Sequence, residues 1–489
     1  MLAIQKECSD SNKTFFIVLT IFFLILSPFS ASHAVSELNQ HNDPIAPVIL
    51  SVTGLLFFAL LGRFAARKCR QPSVLGELIV GIFIGNILYY FGVDIIKVLR
   101  EGSAIFEIVD LTLQGETWEE AAHNTLDKNA DDLITIMRST QGATMLQIAQ
   151  TVDVFSRYGV IFLLFLVGLE SSINEMKSVG GDSLRVAIIG VALPLILGFM
   201  TIYWLMPEQS SNTHLFVAST LAATSIGITA SVLHDLGQLH VKEAHIILGA
   251  AVIDDILGLV ILAIVTGIIV SGGVNTSDIL SIVGLSALFL TSAILLSPYF
   301  LKIAIKLVHH MNLGEAKLFI TFLFVMALAW FASLVGLAAI VGAFTAGLIL
   351  HDAYFKHWGD HHQHRVSIKD MVAPLEAILV PIFFVLMGIQ VKLEAFLNPH
   401  ILYVATGLLL AAAVGKIVSG FGAGKDTNRW TIGIGMMPRG EVGLVFASIG
   451  KSLGVISTEL FSAIVLMIIV TTLATPPLLK YFIYRTKKI

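Results

Sequence analysis

Charge is scarce in this chain. Of its 489 residues only 13% are Asp, Glu, Lys or Arg, while 56% are hydrophobic; a soluble domain is usually about 25% charged. The scarcity excludes an ordinary soluble protein and points to a polytopic helical membrane protein. The net charge of −4 says little once lipid covers most of the surface, and no basic block offers a nucleic-acid interface. Cysteine is nearly absent: Cys8 and Cys69 are too few for a disulfide framework or a cysteine metal centre. No glycine-rich nucleotide fingerprint sits on a strand–helix unit, and no soluble domain follows the last apolar run. Neither a cofactor nor a resident metal is expected.

What the chain has in abundance is apolar runs. Lys6 and Lys13 precede a short one at 15–26, and Ser32, His33 and Ala34 resemble a small-x-small cleavage site. Residues 1–34 therefore read as a signal peptide, with an uncleaved anchor as the alternative; either way the residues near Glu37 end up outside. Thirteen candidate spans follow, at 47–64, 74–91, 154–169, 186–206, 215–233, 246–270, 279–296, 318–335, 337–350, 374–391, 401–421, 430–449 and 460–482. Arg67, Lys68 and Arg70 follow the first, and Lys302, Lys306 and Lys317 surround the link from seventh to eighth. Lys356, Arg365 and Lys369 follow the ninth, and Arg485, Lys487 and Lys488 end the chain. All fall on the cytoplasmic side if the N-terminus is outside. The reading is a 44–482 transmembrane domain, with a cytoplasmic histidine-rich loop at 351–369 and a basic cytoplasmic tail at 483–489.

The longest loop, 95–150, lies outside on this scheme. It carries Glu101, Glu107, Asp110, Glu116, Glu119, Glu120, Asp127, Asp131 and Asp132 against Arg100, Lys128 and Arg138. A solvated insertion with short interfacial helices is expected rather than a cation-attracting vestibule, because surface charges are screened within about 8–10 Å.

The chain repeats itself faintly. Residues 165–169 (Phe-Leu-Val-Gly-Leu) resemble 385–389 (Val-Leu-Met-Gly-Ile), 80–83 (Val-Gly-Ile-Phe) resemble 341–344 (Val-Gly-Ala-Phe), and Gly227 can be set against Gly440. Each pair is seven spans apart. An odd offset reverses direction across the membrane, so two six-span halves would be inverted, with the seventh span as linker. Such halves predict paired broken helices near the midplane. The fifth span has Thr224, Ser225, Gly227 and Thr229 inside its apolar run, and the twelfth has Gly433, Gly435, Pro438, Gly440 and Gly443. Small residues for close helix packing are the plainer reading, but the equivalent repeat positions favour broken helices.

A few charges lie inside spans. Asp254 and Asp255 sit side by side at 246–270, where an ionised carboxylate costs about 2.5–3.5 kcal/mol even on a lenient scale. As helix neighbours they point about 100° apart, so one can face a cavity and the other a neighbouring helix. Lys416 is the natural partner for the second. Arg439 and Glu441 read as structural charges that neutralise helix ends and tie the twelfth span to its neighbours. Glu77 falls close to the membrane edge, an interfacial position. His351, His357, His361, His362 and His364 read as a solvated loop rather than a preformed metal or pH-sensing site.

At these residues the chain resembles a family. Residues 224–230 (Thr-Ser-Ile-Gly-Ile-Thr-Ala) and 249–259 (Gly-Ala-Ala-Val-Ile-Asp-Asp-Ile-Leu-Gly-Leu) are similar to the core of bacterial monovalent cation:proton antiporters, the sodium/proton exchanger superfamily. Residues 381–384 with Gly388, and 437–443 (Met-Pro-Arg-Gly-Glu-Val-Gly), resemble its later motifs. The similarity runs from about Pro44 to the C-terminus. The outer loop is longer than the usual pattern, and Asn86 stands where many members have proline. The resemblance implies an all-α homodimer of scaffold and core parts with an elevator-like movement and two crossed discontinuous helices. It implies that Asp255 binds the cation or a proton, with Thr224 and Ser225 nearby. Members with two aspartates and a lysine are usually electrogenic sodium exchangers, and those with Asn or Gln at the first aspartate are usually electroneutral. Many potassium/proton relatives carry a C-terminal nucleotide-binding domain, which is not found here.

The expected mechanism is competition. If Asp255 holds either Na+ (or Li+) or a proton, downhill protons drive the cation the other way. Lys416 pairs with Asp254 when the cation is absent and releases its proton when that pair weakens, as a desolvated lysine can. Two protons per cation follow. A K+/H+ antiporter is the alternative, and a gated cation channel a remoter one. An intramembrane aspartyl protease would need aspartates facing each other from different helices, whereas neighbours on one helix diverge; no enzyme is expected.

Overall fold

The computed structural model describes residues 45–69, 71–102, 104–126, 130–169, 173–271, 276–307, 313–350, 367–394 and 398–486, and every regular element among them is helical. In chain order these are α1 (Ala46–Lys68), α2 (Ser73–Tyr90), α3 (Asp94–Arg100), α4 (Ala104–Leu113), α5 (Trp118–Thr125), α6 (Ala130–Arg138), α7 (Gly142–Leu169), α8 (Ile173–Leu205), α9 (Ser211–Thr220) and α10 (Ile226–Asp235). Then come α11 (Lys242–Ser271), α12 (Thr276–Leu307), α13 (Leu313–Leu334), α14 (Ala339–Ile349), α15 (Ile368–Ile389), α16 (Pro399–Ser419), α17 (Arg429–Gly435), α18 (Glu441–Ser452) and α19 (Thr458–Thr486). The signal segment 1–34, Arg70, Asp127, Lys128, Lys356, Arg365, the five loop histidines, Lys487 and Lys488 lie outside the described residues.

Lipid offers no partner for backbone N–H and C=O groups, so apolar runs satisfy them internally as helices. Polar caps mark where several begin. Ser210, Ser367, Asn398 and Asn428 each accept a backbone N–H at the start of α9, α15, α16 and α17. Ten of the described helices are long and apolar enough to cross a membrane: α1, α2, α7, α8, α11, α12, α13, α15, α16 and α19. The other three of the thirteen expected runs are helical without forming one long continuous span each. The run at 337–350 forms only the short α14, because Gly336 turns the chain in the left-handed region (φ 82°) just before it. The fifth and twelfth runs are each split in two, as α9/α10 and α17/α18.

Hydropathy misplaced two further starts. Helix α7 begins at Gly142 rather than near 154, and α8 at Ile173 rather than near 186. The segment between α2 and α7 holds the four short helices α3 to α6, each with a buried face. Its entry is clamped. Arg100 Nη2 donates to both carboxylate oxygens of Glu394 at 2.8 Å, and Lys392 Nζ to both of Glu101 at 2.8 and 2.9 Å. Asn86 accepts from Leu393 N (3.0 Å) and donates to Val391 O (2.8 Å). Asn86 thus holds the chain segment that follows α15.

Residues 51–489 form one compact unit. Within it, α2, α7, α13, α14 and α15 pack as one group, and α8, α9, α11, α16, α17 and α19 as a second. The pairings repeat with the seven-span offset: α15 packs on α2 as α14 packs on α7, and α19 packs on α16 as α11 packs on α8. Two glycine crossings make the repeat visible. A Cβ on Gly168 of α7 would meet the backbone of Phe344 and Gly347 in α14; on its repeat mate Gly388 of α15 it would meet Leu78 and Gly81 in α2. Only glycine allows such approach.

Candidate cation site at the crossing of two broken helices

The site is built where both broken helices come apart. Helix α9 ends at Thr220 and α10 resumes at Ile226 after an extended Ser225 (φ −94°, ψ 108°). Helix α17 ends at Gly435 and α18 resumes at Glu441. The two gaps lie across each other. Ser225 N donates to Pro438 O at 3.0 Å, Thr224 Oγ1 to Met436 O at 3.4 Å, and Thr229 Oγ1 to Gly435 O at 2.6 Å. Gly440 is pressed against the Ser225 side chain, where a Cβ would overlap it.

Each half-helix end leaves carbonyls without an intrahelical partner. Those of α17 are met by Thr224 and Thr229. Those beyond α9 are met by Arg439, fully buried, whose Nη1 donates to Ala222 O (3.1 Å) and to Ala223 O. A guanidinium there also faces the negative end of the α9 dipole. Thr472 of α19, which sequence reasoning did not single out, donates to Arg439 O at 2.5 Å and so ties the second gap to the last helix. Glu441 opens α18; its side chain lies outside the described residues.

Helix α11 passes this crossing with Asp254 and Asp255. Asp254 is 1% exposed and Lys416, on α16, is 0% exposed. Lys416 Nζ donates to Oδ1 at 3.1 Å and to Oδ2 at 3.3 Å. Asp255, turned away by the helical step, lines a small pocket with Thr224, Leu164, Val341, Phe344 and Val442. The pocket therefore lies between the crossing and helices α7 and α14. A carboxylate and a hydroxyl lining one pocket are oxygen donors of the kind that replace the water shell of an alkali cation. Among the described residues no group of three His, Cys, Asp or Glu is placed to hold a metal ion.

Glu77 lies near the start of α2. It is fully buried and its Oε1 accepts from Arg63 Nε of α1. The partner sits inside the first apolar run, where its charge was the available signal. Farther out, Lys242 at the start of α11 pairs with Asp426, and Glu243 Oε1 accepts from Asn428 N at 2.8 Å. The hydrogen bond from Lys242 holds the Asp426 carboxyl below its usual range. These links join the start of α11 to the start of α17.

A model of the transmembrane sodium/hydrogen exchanger family matches residues 54–481. The chain belongs to that family. The matched stretch contains every charged residue of the site just described. The high-affinity Na(+)/H(+) antiporter NhaS3 of Synechocystis sp. is 35% identical over 480 residues, covering 95% of both chains. The Na(+)/H(+)-K(+) antiporter GerN of Bacillus cereus is 32% identical over 331 residues, 67% of this chain and 82% of its own. The solved structure of the sodium proton antiporter MjNhaP1 of Methanocaldococcus jannaschii matches with a TM-score of 0.52 at 17% identity, covering 89% of this chain and 96% of that one, and so shares the exchanger fold. The protein is a multi-pass membrane protein of that fold.

Proposed function

We propose that this exchanger is a secondary active antiporter that moves Na+, and Li+, outward across the cytoplasmic membrane in return for protons. The observation that carries the reading is the buried Asp254–Lys416 pair beside Asp255 at the crossing. Asp255, with Thr224, holds either the cation or a proton. An empty charged site does not cross, because desolvating it is too costly. When the cation enters, its charge competes with Lys416 for Asp254 and Lys416 gives up its proton, so two protons return per cation. The N-terminus lies outside, the C-terminus inside, and the resemblance supports a homodimer.

K+/H+ exchange is the second reading, favoured by the inclusion of K(+) in GerN's name. Purified protein in sealed vesicles decides between them: pH change driven by Na+, Li+ and K+ is compared. Na+ and Li+ should drive proton movement, and Asp255→Asn should abolish it in a sample that remains monodisperse. Exchange that persists in Asp255→Asn would remove Asp255 as the shared site.

A further inference from the structure

The link from Lys416 to Asp254 stays within the second group. Asp235 does not. It is the last residue of α10, whose Thr229 ties it to the second group through Gly435. Its Oδ2 accepts from Ser73 N at 2.9 Å and from Ser73 Oγ at 2.5 Å, and Ser73 opens α2 of the first group. Helix α10 packs against α2 and α7 of the first group and against α11 and α19 of the second, so it lies at the seam between them, held to the second by Thr229 and to the first by Asp235.

The placement is odd for α10 and apt for α2. A carboxylate in the last turn of a helix faces the negative end of the dipole and is unfavourable there. Gly237 (φ 61°) closes α10 two residues later, so Asp235 has no longer helix to serve. At the start of α2 the N-cap residue is Pro72, which makes no side-chain cap. Asp235 supplies what Pro72 lacks: an acceptor for the first N–H and a negative charge at the positive end. The cap of α2 is therefore carried by a helix that is tied to the second group.

We infer that Asp235 and Ser73 form a latch on the cytoplasmic side, made in one access state of the exchanger and broken in the other. The inference rests on the antiport reading, since an exchanger must open its site to each side in turn. When the groups part there, α2 loses its cap and Asp235 is left at the wrong end of its own helix. The latch thus favours the state in which the seam is closed at that face, without touching the cation.

The test uses full-length protein in vesicles, with Cys8→Ser and Cys69→Ser as parent and Ser73→Cys plus Asp235→Cys added. An oxidant should form a disulfide between the two positions and lower Na+-driven proton movement at least about ten-fold, and a reductant should restore it. Each single-cysteine variant should be indifferent to the oxidant. In a separate arm, Asp235→Ala should change the ratio of apparent Na+ affinities at the two faces by about five-fold, the effect of one lost cap, while Asp235→Asn, which keeps an acceptor oxygen, should shift it less. A cross-linked protein that exchanges as fast as the reduced one would overturn the latch, as would failure of any disulfide to form. A parent that moves no protons with Na+, Li+ or K+ would instead overturn antiport itself.

Discussion

Lys416 donates to both carboxylate oxygens of Asp254 across two helices of the second group, and neither side chain reaches solvent. Removing one member strands the other. Asp254→Asn or Lys416→Gln alone should each destabilise the protein by about 3–5 kcal/mol. The double variant, which buries no charge at this place, should recover most of that loss. Melting of the four proteins in detergent checks it, and additive losses would mean that the pair is not coupled.

Arg63 of α1 and Glu77 of α2 form another ion pair, but Arg63 is 24% exposed and Glu77 only 1%. Arg63→Ala should therefore cost more than Glu77→Gln, since it leaves a carboxylate buried, whereas the amide is neutral. A loss of about 1–3 kcal/mol is expected for Arg63→Ala. Melting temperatures in detergent rank the two variants; equal losses would mean that packing outweighs charge there.

Exchange should rise with pH between about 6 and 8, because a carboxylate must shed its proton before it accepts the cation. Replacing His351, His357, His361, His362 and His364 with Gln should leave the profile in place. A displacement of about one pH unit would make that loop the sensor.

Two protons against one cation move net charge. A membrane potential of about 100 mV, negative inside, then contributes about 2.3 kcal/mol per net charge. Clamping the potential with valinomycin and K+ should alter the Na+-driven pH change. Indifference to the clamp would mean one-for-one exchange and leave Lys416 as a counter-charge.

Some of this arrangement is legible in the residues themselves. Thr224, Ser225 and Gly227 in one run and Pro438 and Gly440 in another interrupt apolar stretches that have no other reason to be interrupted, and both runs are broken there. Asp254 cannot stay charged in hydrocarbon without a cation, and Lys416 is one of few cations deep in a span. The partner of Glu77 was not legible, because its distance to the end of the run says nothing of Arg63 on another helix. The early start of α7 was hidden because its first turns, including Gln147, Gln150 and Asp153, are too polar to read as a span. Thr472 carried no signal at all: a threonine in an apolar helix is commonplace until Arg439 O is seen beside it.

The glycine crossings have a mechanical consequence. Between Gly168 and α14, and between Gly388 and α2, main chain rests on main chain with no layer of side chains in between. Side-chain layers can creep by changing rotamers; these two contacts offer nothing to rotate. The spacing of α7 to α14 and of α15 to α2 is thereby set by van der Waals contact between backbones, like two dowels in a frame. A methyl group at residue 168 or 388 would act as a shim, prising the frame apart. Such a variant would feel its effect as misalignment of everything that bears against the frame, the Asp255 pocket included, since Leu164 and Phe344 belong to the same two helices as the first dowel.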